Sequence, residues 1–357
     1  MEIEHVNRIR KQLTQWYHTH HRFLPWRNTN DPYPVWVSEV MLQQTQVKTV
    51  LPYFQRFLSA FPNVNHLAGA DLQEVLKVWE GLGYYGRARN LHRAAHLVVE
   101  HFGGRIPADW EGFRQLPGVG DYIAAAVLSI SYNQPYAAVD GNVKRVLARL
   151  LKIEPPVNQS RGLSIIKAAA DTLLDRRNPG VFNQALMELG AVVCRPRRPA
   201  CDRCPLQAQC SGFRDGCVDA YPRRLSRKPG PTHRIAVAVV YRQEQILITR
   251  RAIDGLLGGL WEFPGGKIET GENPARACLR EVKEEVNLDV AIVAHLTQVK
   301  HAYTHFSVVM EVFRCRYVSG KVKLKGPEDF RWVPLEALRR FPFPKANLKF
   351  MHLLEPI

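Results

Sequence analysis

Four of the chain's seven cysteines fall in one short stretch, Cys194, Cys201, Cys204 and Cys210, with the spacing C-x6-C-x2-C-x5-C. Four thiols so close in sequence can enclose one metal centre, which would tie the chain around them into a single loop. A zinc knuckle usually shows two tight C-x2–4-C pairs, whereas only Cys201 and Cys204 are paired in that way here. The wider gaps on either side leave room to wrap a cubane, so the spacing favours [4Fe–4S] and keeps zinc as the alternative. Arg195, Arg197, Arg198, Arg203 and Arg214 stud the same segment. They suit contact with phosphate, although a purely structural staple is compatible with the same residues. Cys217, Cys278 and Cys315 are left as plain thiols.

Charge points the same way. The chain has 357 residues and a formal net charge of +16, a surplus that makes a polyanion, and nucleic acid first, the expected partner. Residues 1–228 carry 30 Lys and Arg against 19 Asp and Glu, and residues 229–357 carry 19 against 14, so the first part is the stronger candidate for gripping phosphate. The start, Met1-Glu-Ile-Glu-His, lacks the basic and apolar regions of a signal peptide. The longest apolar stretch, Ile123 to Ile130, is far short of the ~20 residues a membrane span needs. These features lead us to expect a cytoplasmic protein, in a bacterial cytoplasm or nucleoid, that works as a monomer and meets no membrane. Cysteine usage there argues against a disulfide framework.

Two domains are expected from length and pattern. Residues 1–221 read as mostly helical, with helices over 35–57, 71–79, 86–102, 121–131, 142–151, 160–174 and 181–193. Residues 222–232 (PRRLSRKPGPT) are basic and Pro-rich and read as a linker. From 233 to 357 the pattern changes. Strands are expected at 235–241, 245–249, 289–299 and 307–317, with a helix over 275–286. This is an α+β domain.

Leu116-Pro-Gly118-Val-Gly120 lies between two helices. Its glycines allow close backbone approach, and free N–H groups at the next helix start can hold a phosphate. An ordinary tight turn is the plainer reading. Asp140, in Val139-Asp-Gly-Asn142, follows an apolar run and precedes a helix, where it reads as an N-cap. Glu39 lies among Val35, Trp36 and Leu42. It reads either as part of a solvated helix face or as a carboxylate turned to a cleft.

Taken together, the hairpin LPGVG, the later VDGNV and the trailing four-cysteine loop resemble the helix–hairpin–helix glycosylases, the superfamily of endonuclease III. SEVMLQQTQV, GLGYYGRARN and FNQALMELG narrow the resemblance to the MutY-type adenine DNA glycosylases, over nearly the whole chain. The resemblance implies an all-α helix–hairpin–helix DNA glycosylase with a [4Fe–4S] loop over 194–210, followed by an α/β/α Nudix-like domain. The implied activity is hydrolysis of the glycosidic bond of adenine in duplex DNA, mispaired with 8-oxoguanine or guanine. Glu39 would be the general acid and Asp140 would stabilise the oxocarbenium-like sugar, with Asn142 and Tyr122 beside it. Tyr122 stands where lyase relatives carry a Schiff-base lysine, so no strand cleavage is expected. Trp26, Arg27 and Glu188 would line the adenine pocket. Gln44 and Tyr84 would wedge into the stack, and Gly118 and Gly120 would face the DNA backbone. On the residues alone, core packing is the plainer reading of Trp26 and Tyr84.

In the second domain Gly266-x5-Glu272-x7-Arg280-Glu281-Val-x-Glu284-Glu285 is a nearly complete Nudix box. Glu281, Glu284 and Glu285 share one helix face, where Mg²⁺ could sit. Asn287 replaces the usual Gly at the helix end, and Asn is the next-best residue for a left-handed cap. In the family this domain reads 8-oxoguanine in the opposite strand through a loop that aligns here with Tyr303-Thr304-His305. The box then reads as a retained scaffold, with a live hydrolase as the alternative. An endonuclease III-like activity and a non-catalytic lesion-binding module are the other readings left open.

Overall fold

The computed structural model describes residues 2–27, 29–226 and 230–356. The chain forms two compact units. One comprises Met1–Phe54, Phe61–Ala68 and Arg93–Arg227, and the other Gln55–Ala60, Gly69–His92 and Lys228–Ile357. Residues 227–229 of the expected linker lie outside the described residues.

The helices are α1 (Ile3–His20), α2 (Pro32–Leu42), α3 (Val47–Ala60), α4 (Val64–Gly69), α5 (Leu72–Trp79), α6 (Gly86–Phe102), α7 (Trp110–Arg114), α8 (Asp121–Tyr132), α9 (Gly141–Leu150), α10 (Ser160–Leu173), α11 (Pro179–Val192) and α12 (Ser211–Arg214). The helix expected over 35–57 is broken in two. No apolar stripe continues through the Gln43–Gln46 run to hold the next turn against a core, and Gln44 takes a left-handed backbone, φ 56°. The sequence pattern assigns no element to α1, α4, α7 or α12.

In the first unit, α1 buries Val6, Ile9, Leu13 and Tyr17 along one stripe. They join Val143, Val146 and Leu147 of α9, Ile166 and Leu173 of α10, and Phe182 and Leu186 of α11 in one core. A second pairing sets α2 against α8. Asp31 caps α2 by accepting from Tyr33 N at 2.9 Å, and Pro32 fits its first turn. Two glycines of α11 let its backbone approach its neighbours. A Cβ at Gly180 would lie 2.6 Å from Ser129 O, and one at Gly190 would lie 2.6 Å from Asn142 Cβ. Larger residues there would push α11 away from α8 and α9.

In the second unit the strands are β1 (Thr232–Arg242), β2 (Gln245–Arg250), β3 (Trp261–Glu262), β4 (Gly265–Lys267), β5 (Asp289–Ala302), β6 (Ser307–Ser319) and β7 (Asp329–Pro334). They form one mixed sheet in the order β3-β2-β1-β6-β5, with β4 added to β1 and β7 to β2. β1 and β6 run parallel from Thr232↔Ser307 to Tyr241↔Arg316. α13 (Pro274–Val286) packs Ala277, Cys278 and Val282 against Ala236, Ala238 and Val240. The opposite face of the sheet, Val237, Val239 and Tyr241, meets Phe343, Ala346 and Phe350 near the short α14 (Lys345–Leu348). That alternation is the period-2 pattern of a strand buried on both sides. α5 and the start of α6 belong to this unit. Lys77 Nζ donates to Phe341 O (3.0 Å), Tyr85 Oη to Phe343 O (3.2 Å) and Trp261 Nε1 to Gln73 Oε1 (2.8 Å).

Candidate active site and cysteine loop

α2 and α8 place two groups of the site together. Glu39, on α2, is 4% exposed, so the solvated-face reading fails. The Tyr122 hydroxyl, one residue into α8, donates to Glu39 Oε2 and also approaches Met187 Sδ at 3.5 Å. Burial pushes the Glu39 carboxyl up to about 7, the Tyr122 hydrogen bond pulls it down, and the charges of Asp140 and Arg27 act in opposite directions. Burial and the carboxylates Glu39 and Asp140 raise the Tyr122 phenol well above its ordinary range, so it stays a donor.

Asp140 caps α9, as the N-cap reading expects. Its Oδ1 accepts from Val143 N at 2.7 Å and its Oδ2 from Asn142 Nδ2 at 2.7 Å. Burial raises this carboxyl too, while these hydrogen bonds favour the charged form. The two carboxylates therefore differ in support: Asp140 has an amide and a backbone N–H, and Glu39 has a phenol.

Behind Asp140 the network continues into residues that the sequence reading did not single out. Arg145 Nη2 donates to Asn142 Oδ1 and to Gly190 O, both at 2.8 Å, and its Nε donates to Cys194 O at 2.8 Å. Asn183, 2% exposed, binds Ser129 Oγ (2.8 Å), Tyr136 O (2.8 Å) and Ala138 N (3.1 Å). It thereby ties the segment leading to Asp140 against α8 and α11.

A second cluster surrounds Glu188 on α11. Its side chain is fully buried. Arg22 grips it in a fork at 2.7 Å through Nε and Nη2, and Arg27 Nη2 reaches it at 2.8 Å. Burial alone would raise the Glu188 carboxyl, but the two guanidiniums outweigh it and hold it at about 2. Nothing local in the sequence singles out Arg22, which lies 166 residues from Glu188 along the chain. Trp26 is buried edge-on against Phe54, centroids 5.1 Å apart, and Arg27 lies over the Tyr17 ring at 5.5 Å. Gln44 sits exposed in the α2–α3 turn. In the hairpin, Gly118 has φ 80° and Gly120 is the N-cap of α8, with open space where a Cβ would stand.

Cys194, Cys201, Cys204 and Cys210 all line one small cavity of about 30 Å³, walled by Val193, Pro199 and Phe213. All four are free of disulfides. Burial pushes the Cys204 thiol up to about 12, and burial and neighbouring sulfurs raise Cys201 and Cys210. Arg149 Nη1 donates to Cys194 Sγ at 3.4 Å. Four convergent sulfurs in an apolar pocket with an adjacent guanidinium suit an anionic thiolate-bound cluster. Among the described residues, no group of three or more His, Cys, Asp or Glu is drawn together around a single-ion position.

In the second unit, Tyr84 (φ 52°) and Thr304 meet hydroxyl to hydroxyl, and Arg87 lies over the Tyr84 ring at 5.2 Å. Tyr303 stacks on Phe306, centroids 4.8 Å apart, and His305 is exposed. Glu281, Glu284 and Glu285 border a cleft of about 380 Å³ together with Glu262 and Arg251. Arg280 Nη1 reaches Glu281 at 2.8 Å and Glu284 at 3.3 Å. Gly265 N donates to Glu285 at 2.8 Å, and burial pushes that carboxyl up to about 8. Asn287 closes α13 in the left-handed conformation, φ 59°, as expected of the replacement at that position.

Comparison with known proteins matches two families along the chain, the first running through residues 55–60 and 69–92 of the second unit. Residues 37–162 match the HhH-GPD superfamily of base excision DNA repair proteins, and residues 236–353 match the NUDIX domain. The chain is 35% identical to an adenine DNA glycosylase of Rattus norvegicus, an alignment covering 99% of this chain and 79% of that protein. The chain belongs to the adenine DNA glycosylase family. The family's human member is 36% identical over 94% of this chain and 72% of its own, and one from Buchnera aphidicola subsp. Schizaphis graminum is 33% identical over 83% and 84%. A thermostable thymine-DNA glycosylase superposes with a TM-score of 0.53 at 27% identity, covering 59% of this chain and 98% of its own. A trapped endonuclease III–DNA covalent intermediate superposes at 0.50 and 21% identity, over 59% of this chain and 98% of its own, and shares the fold. Like the family, the chain is a base-excision-repair DNA glycosylase with a helix–hairpin–helix fold and a Nudix-like domain. Among the described residues no helix is long and apolar enough to cross a membrane.

Proposed function

We propose that this chain hydrolyses the N-glycosidic bond of adenine placed opposite 8-oxoguanine or guanine in duplex DNA, leaving an abasic site without cutting the strand. The observation that carries the reading is the unequal support of two buried carboxyls in one site. Glu39, pushed up to about 7, holds a proton at neutral pH in a large fraction of molecules. Asp140, held by Asn142 and Val143 N, is the group kept charged. Glu39 delivers its proton to N7 of the extruded adenine as the bond to C1′ breaks, and Asp140 faces the positive charge that develops on the sugar. Water then adds at C1′, and Glu39, now a carboxylate, takes its proton. Arg22, Arg27, Trp26 and Glu188 hold the base. Tyr122, a phenol, cannot form an imine with the abasic sugar, which supports a monofunctional reaction.

Cys194, Cys201, Cys204 and Cys210 would hold a [4Fe–4S] cluster, whose contribution when bound is to tie the 194–210 loop beside α9. The first unit, and not the whole of the expected 1–221 portion, acts as the catalytic domain, because residues 55–60 and 69–92 fold with the sheet. Residues 233–357 read the opposite base through Tyr303, Thr304 and His305, with Gln44 and Tyr84 wedging the stack. We take α13 as scaffold and not as a Mg²⁺ site, because Arg280 already engages Glu281 and Glu284.

The test is a single-turnover reaction on a duplex with adenine opposite 8-oxoguanine, read with and without alkali. A product seen only after alkali is expected, and Asp140→Asn should abolish it. Strand cleavage without alkali would overturn the monofunctional reading. Unchanged activity in Asp140→Asn would overturn the assignment of the site.

A further inference from the structure

The chain enters β1 through Gly230 and Pro231, and these two residues lie against the turn between β5 and β6 that carries Tyr303, Thr304 and His305. Ser307 N donates to Pro231 O at 2.9 Å, and the parallel pairing of β1 with β6 starts at once, at Thr232↔Ser307. One residue earlier the two backbones nearly touch. A Cβ at Gly230 would lie 1.9 Å from His305 O, 2.5 Å from His305 C and 3.1 Å from Phe306 N. The neighbour is backbone and not the end of a side chain, so it cannot swing aside. Both sides of the contact are held. Pro231 has a fixed φ and disfavours helical backbone at Gly230, and its carbonyl is tied to the sheet. Across from it, Tyr303 N donates to Phe306 O at 2.8 Å, Tyr303 stacks on Phe306, and the Thr304 hydroxyl meets that of Tyr84. The Phe306 ring also lies 5.8 Å from that of His233 on β1. Thr304 and His305 are exposed. The turn therefore offers two polar side chains to solvent from a backbone braced by the incoming strand, and the brace has room only because residue 230 carries no side chain.

We propose that Gly230 is a positioning residue for reading the opposite base: it lets the start of β1 seat against the His305 carbonyl and so sets where Thr304 and His305 stand. The proposal rests on the reading of Tyr303, Thr304 and His305 as the residues that meet 8-oxoguanine. It gives the end of the segment expected as a linker a part in lesion recognition and not merely in joining domains. A methyl at 230 forces the two backbones apart by about 1 Å, and a displacement of that size in a recognition group can cost up to about 100-fold.

The test uses the full chain carrying Gly230→Ala, with Gly320→Ala as the control. Gly320 follows the far end of β6, has φ 105°, and a Cβ there would lie 2.8 Å from Asn287 O, so this variant strains the same unit away from the turn. Amide exchange of residues 303–307, taken relative to 237–241 in β1, reports the brace. It should quicken in Gly230→Ala and stay at the wild-type ratio in Gly320→Ala. Affinity for duplexes carrying 2′-fluoro-2′-deoxyadenosine, which resists cleavage, opposite 8-oxoguanine or opposite guanine reports the reading. In Gly230→Ala the preference for 8-oxoguanine should fall about tenfold, all of it lost on the 8-oxoguanine duplex, while Gly320→Ala keeps the wild-type preference. Unchanged exchange in Gly230→Ala would overturn the brace. Quicker exchange with an unchanged preference would overturn its role in reading. So would an equal loss on both duplexes, or the same loss of preference in Gly320→Ala, since either marks a general weakening of the sheet. A wild type with no preference for 8-oxoguanine would instead count against the proposed function, and the exchange comparison would still decide whether Gly230 seats the turn.

Discussion

Replacing Tyr122 with Phe removes the hydroxyl that donates to Glu39 Oε2 and leaves the ring in place. That hydrogen bond lowers the Glu39 carboxyl, which burial has pushed up to about 7. Removing it therefore raises the carboxyl further. A hydrogen bond to a charged group contributes roughly 1.5–3 kcal/mol, and one pKa unit corresponds to about 1.4 kcal/mol, so the shift should be about one to two units upward. The acid must be protonated to act, so the wild-type single-turnover rate falls as pH rises through about 7. In Tyr122→Phe the same fall moves to higher pH, and the variant is relatively more active than wild type on the alkaline side. The assay is the excision rate at saturating enzyme over about pH 5 to 10. An alkaline limb that stays in place or moves toward acid would refute the role given to this hydrogen bond and to Glu39 as the acid.

Other outcomes follow from the same geometry. Glu188→Gln leaves two guanidiniums around a neutral amide, and should destabilise the fold by roughly 3 kcal/mol in denaturant titration. Because the folded Glu188 carboxyl is held at about 2, below its unfolded value, its contribution is present above about pH 5 and lost as pH falls toward 2. Acid titration of wild type should show this loss and that of Glu188→Gln should not. Gly190→Ala drives a methyl toward Asn142 Cβ, 2.6 Å away. It should lower stability by about 1–3 kcal/mol and slow excision by displacing the amide that binds Asp140. Cys204→Ser should leave the purified protein without a full complement of iron and without sulfur-to-iron charge-transfer absorption. Iron content equal to wild type would argue against the four-cysteine cluster.

The parts of this site that could be read from sequence are those whose chemistry is local. The cysteine loop, the hairpin glycines and the Asp140 cap each declare themselves within a few residues. Glu39 was ambiguous because α2 is apolar nearly all round, so periodicity could not say which side met solvent. Arg22 and Arg145 were not legible, since their partners lie 166 and 45 residues away along the chain. Gly180 and Gly190 look like ordinary helix interruptions until α8 and α9 are seen pressed against them. Residues 69–92 carry a helical pattern like their neighbours, and only tertiary contacts place them with the sheet. The break at Gln44 is hidden in the sequence because glutamine itself favours helix, and no apolar stripe runs through residues 43–46 to show where the turn comes.

The Glu188 cluster holds two guanidiniums against one carboxylate, and so carries a surplus of one positive charge. A guest that arrives already protonated would be repelled there, whereas a neutral ring with lone pairs would be welcomed. On the proposed reading of this cluster as the base pocket, electrostatics orders the events: the base enters uncharged and receives its proton only after it is seated. A proton picked up in bulk water would be of no use, and acidifying the medium would not substitute for the buried acid.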